Sequence, residues 1–94
     1  MTGRRFNWSK RKAESNFRKH GISFDEAATA FDDPLFIVFS DPDHSFEENR
    51  FILMGESGNR RLLVVSYTEH GETVRLISAR KATPRERNAY EEDI

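Results

Sequence analysis

The chain contains no cysteine, so neither a disulfide framework nor a thiolate zinc cluster holds it together. Its three histidines, His20, His44 and His70, show no ligand spacing of the H-x-x-x-H kind. Neither a metal site nor a cofactor is therefore expected. No apolar run approaches the roughly 20 residues that a membrane span requires, and no signal peptide is visible. Internal repeats, low-complexity segments and linkers are missing as well. Net charge is nearly missing too, at −1 over 94 residues, which taken alone speaks against a nucleic-acid ligand. These absences leave a soluble protein, expected in a bacterial cytoplasm, with one domain spanning 1–94. By area scaling such a chain buries roughly 65% of its unfolded surface, enough for one core.

The small net charge hides a strong segregation. Residues 1–20 carry seven Lys/Arg against one Glu, and residues 21–49 carry eight Asp/Glu and no Lys/Arg. Residues 50–87 then return to eight cations against four acids, and the last seven residues hold three acids. Such blocks create fields of opposite sign on one molecule. Solvated helix faces and an acidic loop account for part of this pattern. The acidic stretch reads most simply as a solubility device, with attraction of a basic partner element as its second possible use.

Phe6-Asn-Trp8 is a short extended lead-in that can add an edge strand. Ser9 is placed to cap a helix over about 10–20, which Lys19-His20-Gly21 closes with cations on the negative end of the dipole and glycine after it. Ser23-Phe-Asp-Glu26 has capping-box spacing and opens a second helix to about residue 31, stopped by Asp32-Asp33-Pro34. Four strands are expected next, over 35–39, 51–54, 62–68 and 73–79. A polar, acidic segment from 40 to 49 reads as a mobile loop, and a tight turn is centred on His70-Gly71 with both residues at positive φ. A last helix covers about 84–92. The order is α+β: an N-terminal helical hairpin, an antiparallel four-stranded meander and a C-terminal helix. Helices on one side of the sheet leave its other side partly open.

The run from Ile77 to Tyr90 is the most informative. A strand ends in Arg80 and Lys81 and turns at once into a capped helix, with Thr83 and Glu86 at capping-box spacing and Pro84 at the first helical position. Cations beside a helix N-terminus suit a phosphate, since the orphan N–H groups also point at the anion. In a slightly acidic protein this suggests a nucleic-acid backbone. Arg75 alternates with Val74 and Leu76, so it falls on the face opposite those apolar side chains, and a register that allows it would put Tyr67 there too.

Trp8-x-x-x-Lys12-x-x-x-Asn16-x-x-Lys19-His20-Gly21-Ile22-Ser23-Phe24-x-Glu26-Ala27 resembles the opening signature of the BrnT toxins. Arg75-x-Ile77-Ser78-Ala79-Arg80-x-Ala82, with Glu86 and Tyr90, is similar to that family's closing motif. Asp-Pro-Asp-His44 and Arg50-x-x-x-x-Gly55 fit between them in order, so the resemblance spans about Phe6 to Glu92. Ser9 stands where the family usually has aspartate, yet still caps a helix. Thr83-Pro84 replaces a more basic pair. The resemblance implies a type II toxin with a RelE-like fold that inhibits translation by cutting RNA without a metal. It also implies neutralisation by a BrnA antitoxin, a ribbon-helix-helix protein usually encoded beside the toxin. Operator DNA would be reached only through that antitoxin, and two toxins bridged by an antitoxin dimer would be the assembly.

Such cleavage needs a base for the 2′-OH, cations for the charged phosphorane and an acid for the departing 5′-oxygen, with a 2′,3′-cyclic phosphate as the expected product. Arg75, Arg80 and Lys81 are the candidate phosphate clamps, since arginine's fork suits two phosphate oxygens. Arg50 and Arg85 are further RNA-binding candidates. Proton-transfer candidates are His20, Glu56, Tyr67, His70 and Lys12, with His70 and His44 reading as turn and loop residues. Each has a plainer role: a solvated helix cation for Lys12, a ligand of the last helical carbonyls for His20, a loop acid for Glu56, a core tyrosine for Tyr67. Trp8 reads as a packing anchor more than a base-stacking platform. The competing function is a non-catalytic module that binds only antitoxin or nucleic acid. A transcription factor acting alone lacks support, because the second helix is acidic where a recognition helix would be basic.

Overall fold

The computed structural model describes residues 4–41 and 49–92. A short strand β1 (Arg5–Asn7) leads into α1 (Lys10–His20) and α2 (Phe24–Thr29), the latter tightening into a 3-10 turn over Ala30–Asp32. Strands β2 (Ile37–Ser40), β3 (Arg50–Glu56), β4 (Leu62–His70) and β5 (Thr73–Lys81) follow, and α3 (Pro84–Glu92) closes the chain. The strands make one sheet of order β1-β5-β4-β3-β2. Strands β2 to β5 pair antiparallel in chain order, whereas β1 runs parallel to β5. The architecture is mixed α+β.

Local chemistry accounts for the helix ends. Ser9 Oγ accepts from the Lys12 N–H at 3.3 Å, and the N–H of Gly21 donates to the Phe17 carbonyl at 2.8 Å. Ser23 Oγ accepts from the Glu26 N–H at 3.0 Å, but Glu26 does not complete that capping box. Its carboxylate accepts from Ser57 Oγ at 2.7 Å and from Arg61 Nε at 2.9 Å. At α3 both halves of the box are present: the Thr83 N–H donates to Glu86 Oε1 at 2.8 Å, and the Glu86 N–H to Thr83 Oγ1 at 3.1 Å. The 40–49 loop and His44 fall mostly on residues 42–48, outside the described residues.

Strands β3 to β5 run longer than alternation alone suggests, because ladder pairing carries polar ends such as Arg50, Glu69, His70 and Lys81 into the sheet. The β4–β5 turn lies one residue later than expected. His70 pairs with Thr73, so Gly71 and Glu72 are central, and of the two only Gly71 has positive φ, at 61°. That is the requirement of a type II′ turn, which needs glycine at its first central position.

Register divides the side chains between two faces. Leu53, Leu63, Val65, Tyr67, Val74, Leu76 and Ala79 face α1, α2 and the 3-10 turn, and form the main core with Ile22, Phe24, Ala27 and Phe31. The second face is not left free of helices: Met54, Leu62 and Val64 pack under Tyr90 of α3, with Ile37, Ile52 and Ala82. Helices therefore lie on both sides, with α3 covering one end of the second face. Gly55 marks a close approach, since a Cβ there would sit 2.8 Å from the Ala30 carbonyl oxygen and 3.2 Å from Phe36 Cβ.

α1 is held in an unusual way. Its one buried residue is polar, Asn16. β1 pairs with β5 only as far as Arg75, so the outer edge of β5 beyond that point has no neighbouring strand. The Asn16 carboxamide takes the strand's place, accepting from the Ala79 N–H at 3.0 Å and donating to the Ala79 carbonyl at 2.9 Å and the Ile22 carbonyl at 3.0 Å. Asn16→Ala should leave three buried backbone groups without partners, at a cost of about 2–3 kcal/mol. In a urea titration the midpoint should fall at unchanged m-value. Glu26 is held down at about 2 from 4.5, chiefly by the Arg61 guanidinium and by Ser57, against the opposing effect of burial. A carboxylate depressed in the fold stabilises it fully above about pH 4.5 and less as pH falls toward 2. Glu26→Gln should therefore flatten the acid limb of a stability–pH curve in that window.

Candidate functional site

Arg75 and Arg80 lie five positions apart, an odd offset that in a regular strand would send them to opposite faces. The β4–β5 register prevents this. Ser66 faces Ser78 but Tyr67 faces Leu76, which leaves Ile77 as an extra residue in β5. Beyond that bulge Arg75 lies opposite Thr68, and before it Arg80 lies opposite Val64. Thr68 and Val64 share a face of β4, so both arginines project from the same side, the one α3 partly covers. Four residues of strand separate the two levels, about 13 Å.

Between them Ile77 and Ser78 form one wall of a cleft of about 210 Å³, whose other wall is α1 with Lys12, Ser15, Asn16, Lys19 and His20. Lys12, Lys19 and His20 are exposed and share a helix face because i, i+7 and i+8 positions fall on one side of the helix. α1 sits where Asn16 pins it, so the cleft is a product of the same contact that closes the sheet edge. Two lysines, an imidazole and a hydroxyl thus border the stretch of β5 between Arg75 and Arg80, while the arginines themselves do not line the cleft and project from the face opposite α1.

The two arginines are held differently. Arg75 is exposed and donates from Nη1 to Asn7 Oδ1 at 3.0 Å, a neutral partner. Arg80 forms a two-pronged bond to Glu86, Nη1 to Oε1 at 2.8 Å and Nη2 to Oε2 at 2.9 Å, while its side chain stays 42% exposed. Arg80 and the Thr83 cap together hold Glu86 at about 2.

Other candidates lie elsewhere. Tyr67 is on the covered face, 3% exposed, with its ring centroid 5.0 Å from Phe31 and 5.8 Å from Phe51. Burial, and then Glu69, push its hydroxyl up to about 12. It is a core tyrosine: the register that brings the arginines together turns Tyr67 away. Glu56 stands at the far end of β3, about 20 Å along the sheet from the level of Arg75. Its backbone N–H donates to Asp33, close to Tyr90. Arg50 shares the arginine face, two strands from Arg75, but is tied to the buried Asp41 at 3.4 Å. Lys81 lines a different cleft, and Arg85 is an exposed residue of the first turn of α3. His70 ends β4 beside the turn, exposed. Trp8 packs edge-on against Phe24 at 5.8 Å, as an anchor does.

Three participants carry no signal as single residues. Lys19 and Ser78 lie inside the two long motifs but have no distinguishing spacing. Glu86 was legible as a cap and not as the partner of Arg80. Among the described residues no group of three or more His, Asp or Glu is arranged to hold a metal ion, and no helix is long and apolar enough to cross a membrane.

A family model described as the ribonuclease toxin, BrnT, of type II toxin–antitoxin systems matches residues 8–86. The match spans both walls of the cleft and both arginines. Among solved structures, the crystal structure of the Brucella abortus ribonuclease toxin BrnT is similar with a TM-score of 0.67. That likeness covers 85% of this chain and 97% of that one at 22% identity, and so concerns the fold. No curated protein matches the chain.

The Arg80–Glu86 pair can be tested apart from any activity. Glu86→Gln keeps the shape of the cap but removes the counter-charge, so α3 should persist while Arg80 is freed from its fixed orientation. In NMR spectra of the two proteins, the α3 amide resonances should stay put while the Arg80 Nε–H signal shifts and broadens.

Proposed function

Because the chain belongs to the BrnT family of ribonuclease toxins from type II toxin–antitoxin systems, we propose that the α1–β5 cleft between Arg75 and Arg80 is its RNA-cleaving centre. The observation that carries this reading is the Ile77 bulge, which sets two guanidinium groups on the face of β5 that α3 only partly covers, along the strand edge where α1 forms a cleft holding Lys12, Lys19 and His20.

A phosphodiester seated over Ile77 and Ser78 has Arg75 on one side and Arg80 on the other. Their planar forks and the α1 lysines oppose the negative charge that builds on the phosphorane oxygens. His20 is the proton-transfer group of choice within the cleft, since an imidazole can accept a proton at one ring nitrogen and donate from the other. It takes the proton of the 2′-OH, whose oxygen attacks phosphorus and closes the 2′,3′-cyclic phosphate. The bond to the 5′-oxygen breaks, and that oxygen takes up a proton, from Lys12 or a water beside it. The protein thus supplies by fixed cations the charge stabilisation that a metal supplies in other nucleases. The fold is read as RelE-like, the partner as a BrnA-like ribbon-helix-helix antitoxin and the site of action as the cytoplasm. These three follow the family resemblance.

One observation favours a second reading. Arg80 is already paired with a carboxylate, as suits a module that binds antitoxin or nucleic acid and cleaves nothing. Single-stranded RNA incubated with folded, antitoxin-free protein in excess EDTA separates the two. Cleavage should persist in the chelator. It should fall by about 100-fold or more in Arg75→Ala or Arg80→Ala and by a comparable factor in His20→Gln. Tyr67→Phe and Glu56→Gln should leave it unchanged. RNA that stays intact with folded wild-type protein would sink the enzyme and leave the binding module.

A further inference from the structure

A second cleft, also of about 210 Å³, opens at the end of the sheet and is lined by Arg60, Arg61, Leu62, Lys81, Ala82 and Arg87. Four of the six side chains are cations, and none is an acid. Two are partly committed: Arg61 to the buried Glu26, and Arg87, at a long 3.9 Å, to the exposed Glu91. The side chains of Arg60 and Lys81 make no ion pair or hydrogen bond among the described residues. The cleft therefore gathers more positive charge than its surroundings neutralise.

Arg60 is a costly residue for its position. The β3–β4 turn closes with the Ser57 N–H on the Arg61 carbonyl at 2.8 Å and the Arg60 N–H on the Ser57 carbonyl at 2.9 Å. This geometry puts Arg60 at φ 64°, where glycine meets no clash and a side chain does. The turn thus keeps an arginine where glycine would fold more easily, at the rim of a cleft already rich in cations.

Position along the chain says what that charge is for. Arg80 and Lys81 are consecutive, their Cα atoms about 3.8 Å apart, and strand alternation sends one to the arginine face and the other to the second cleft. A polyanion held at Arg80 has only to pass the strand edge to the adjacent residue, Lys81, to reach the second cleft, which Arg60 and Arg87 also line. We propose that this cleft is a second phosphate subsite, which seats the RNA backbone beyond the scissile phosphate and favours longer single strands over short ones. An acidic protein segment would satisfy the same charges, but it has no reason to enter from Arg80. The inference rests on the ribonuclease reading above and extends it to substrate length.

The test measures binding of a single-stranded RNA blocked by 2′-O-methyl groups, so that it cannot be cleaved, by fluorescence anisotropy over a range of salt concentrations. For a single strand, each phosphate that the protein ceases to neutralise reduces the slope of log K against log[salt] by about 0.7. Arg60→Gly should lower the slope by one such step with an unchanged or higher melting temperature, because the turn is relieved. Adding Arg87→Ala should remove a second step. Both should impair cleavage of a long substrate more than of a short one. A slope unchanged in the double variant but reduced in Arg80→Ala overturns the subsite and leaves the nuclease reading standing. A slope unchanged in all of them, Arg80→Ala included, overturns both. If the double variant keeps its RNA slope and instead fails to bind antitoxin, the cleft belongs to the protein partner and the subsite falls.

Discussion

A single carboxamide decides where α1 lies, and the rest of the site follows from it. Most helices in small α+β domains are held by an apolar stripe. Here the buried residue of α1 is Asn16, and its three hydrogen bonds go to the backbone of β5 and of the connection to α2. The bonds are directional, so they fix the distance and rotation of α1 against the strand more tightly than hydrophobic contact would. They also leave the neighbouring helix positions free to be polar. Lys12, Ser15, Lys19 and His20 can face the strand edge because no apolar side chain is needed there. A helix docked by leucines could not present two lysines and an imidazole in the same place.

The acidic segment has a similar structural logic. Read as a block of charge it looks like a solvated surface, yet several of its members are spent inside the fold. Glu26 binds Ser57 and Arg61, Asp41 binds Arg50, and Asp33 takes the Leu35 and Glu56 N–H groups and the Tyr90 hydroxyl at 2.9, 2.7 and 2.5 Å. Burial works against the Asp33 carboxylate, but the three donors pull it below the ordinary range. Asp33 thereby links the end of the 3-10 turn, the start of the β2 segment, β3 and α3. Glu26 and Asp41 neutralise Arg61 and Arg50, whereas Arg75, on the same face as Arg50, keeps a neutral partner in Asn7.

Much of the fold was legible because its signals are local. Ser9, Gly21, Ser23, Thr83 and Pro84 mark helix ends by chemistry that acts within a few residues, and the observed helices begin and end at or near those marks. The arginine pair was legible only in part. Alternation placed Arg75 opposite Val74 and Leu76 correctly, but the same rule applied to Arg80 gives the wrong face, and nothing in Leu76-Ile77-Ser78 announces a bulge. Its position is set by the pairing of β4 with β5, a non-local choice. Tyr67 shows the reverse error, since its face depends on the same register. Arg50, Glu56 and Lys81 were credible as charges near strand ends, but which end of which strand they occupy relative to Arg75 is again a matter of topology. The Arg80–Glu86 pairing escaped because one carboxylate serves both as a cap and as an ionic partner, and spacing reports only the first.

That double service shapes the chemistry proposed for the cleft. Glu86 closes the first turn of α3 through the Thr83 N–H and grips the outer edge of the Arg80 guanidinium with the same oxygens. Arg80 is therefore rigid and well aimed, but its charge is partly cancelled before any substrate arrives. Arg75 is the opposite case. Its partner Asn7 is neutral, so its full charge is available to solvent, while its orientation rests on one exposed hydrogen bond. Within the proposed mechanism the two arginines cannot be equivalent. Long-range attraction of a polyanion, which scales with net charge, falls mainly to Arg75 and to the lysines of α1. Placement of donors on particular phosphate oxygens falls mainly to Arg80. The carboxylate beside Arg80 is then the reason the clamp is ordered before the substrate binds, since a guanidinium fixed in advance needs no rearrangement as charge develops on the phosphorane.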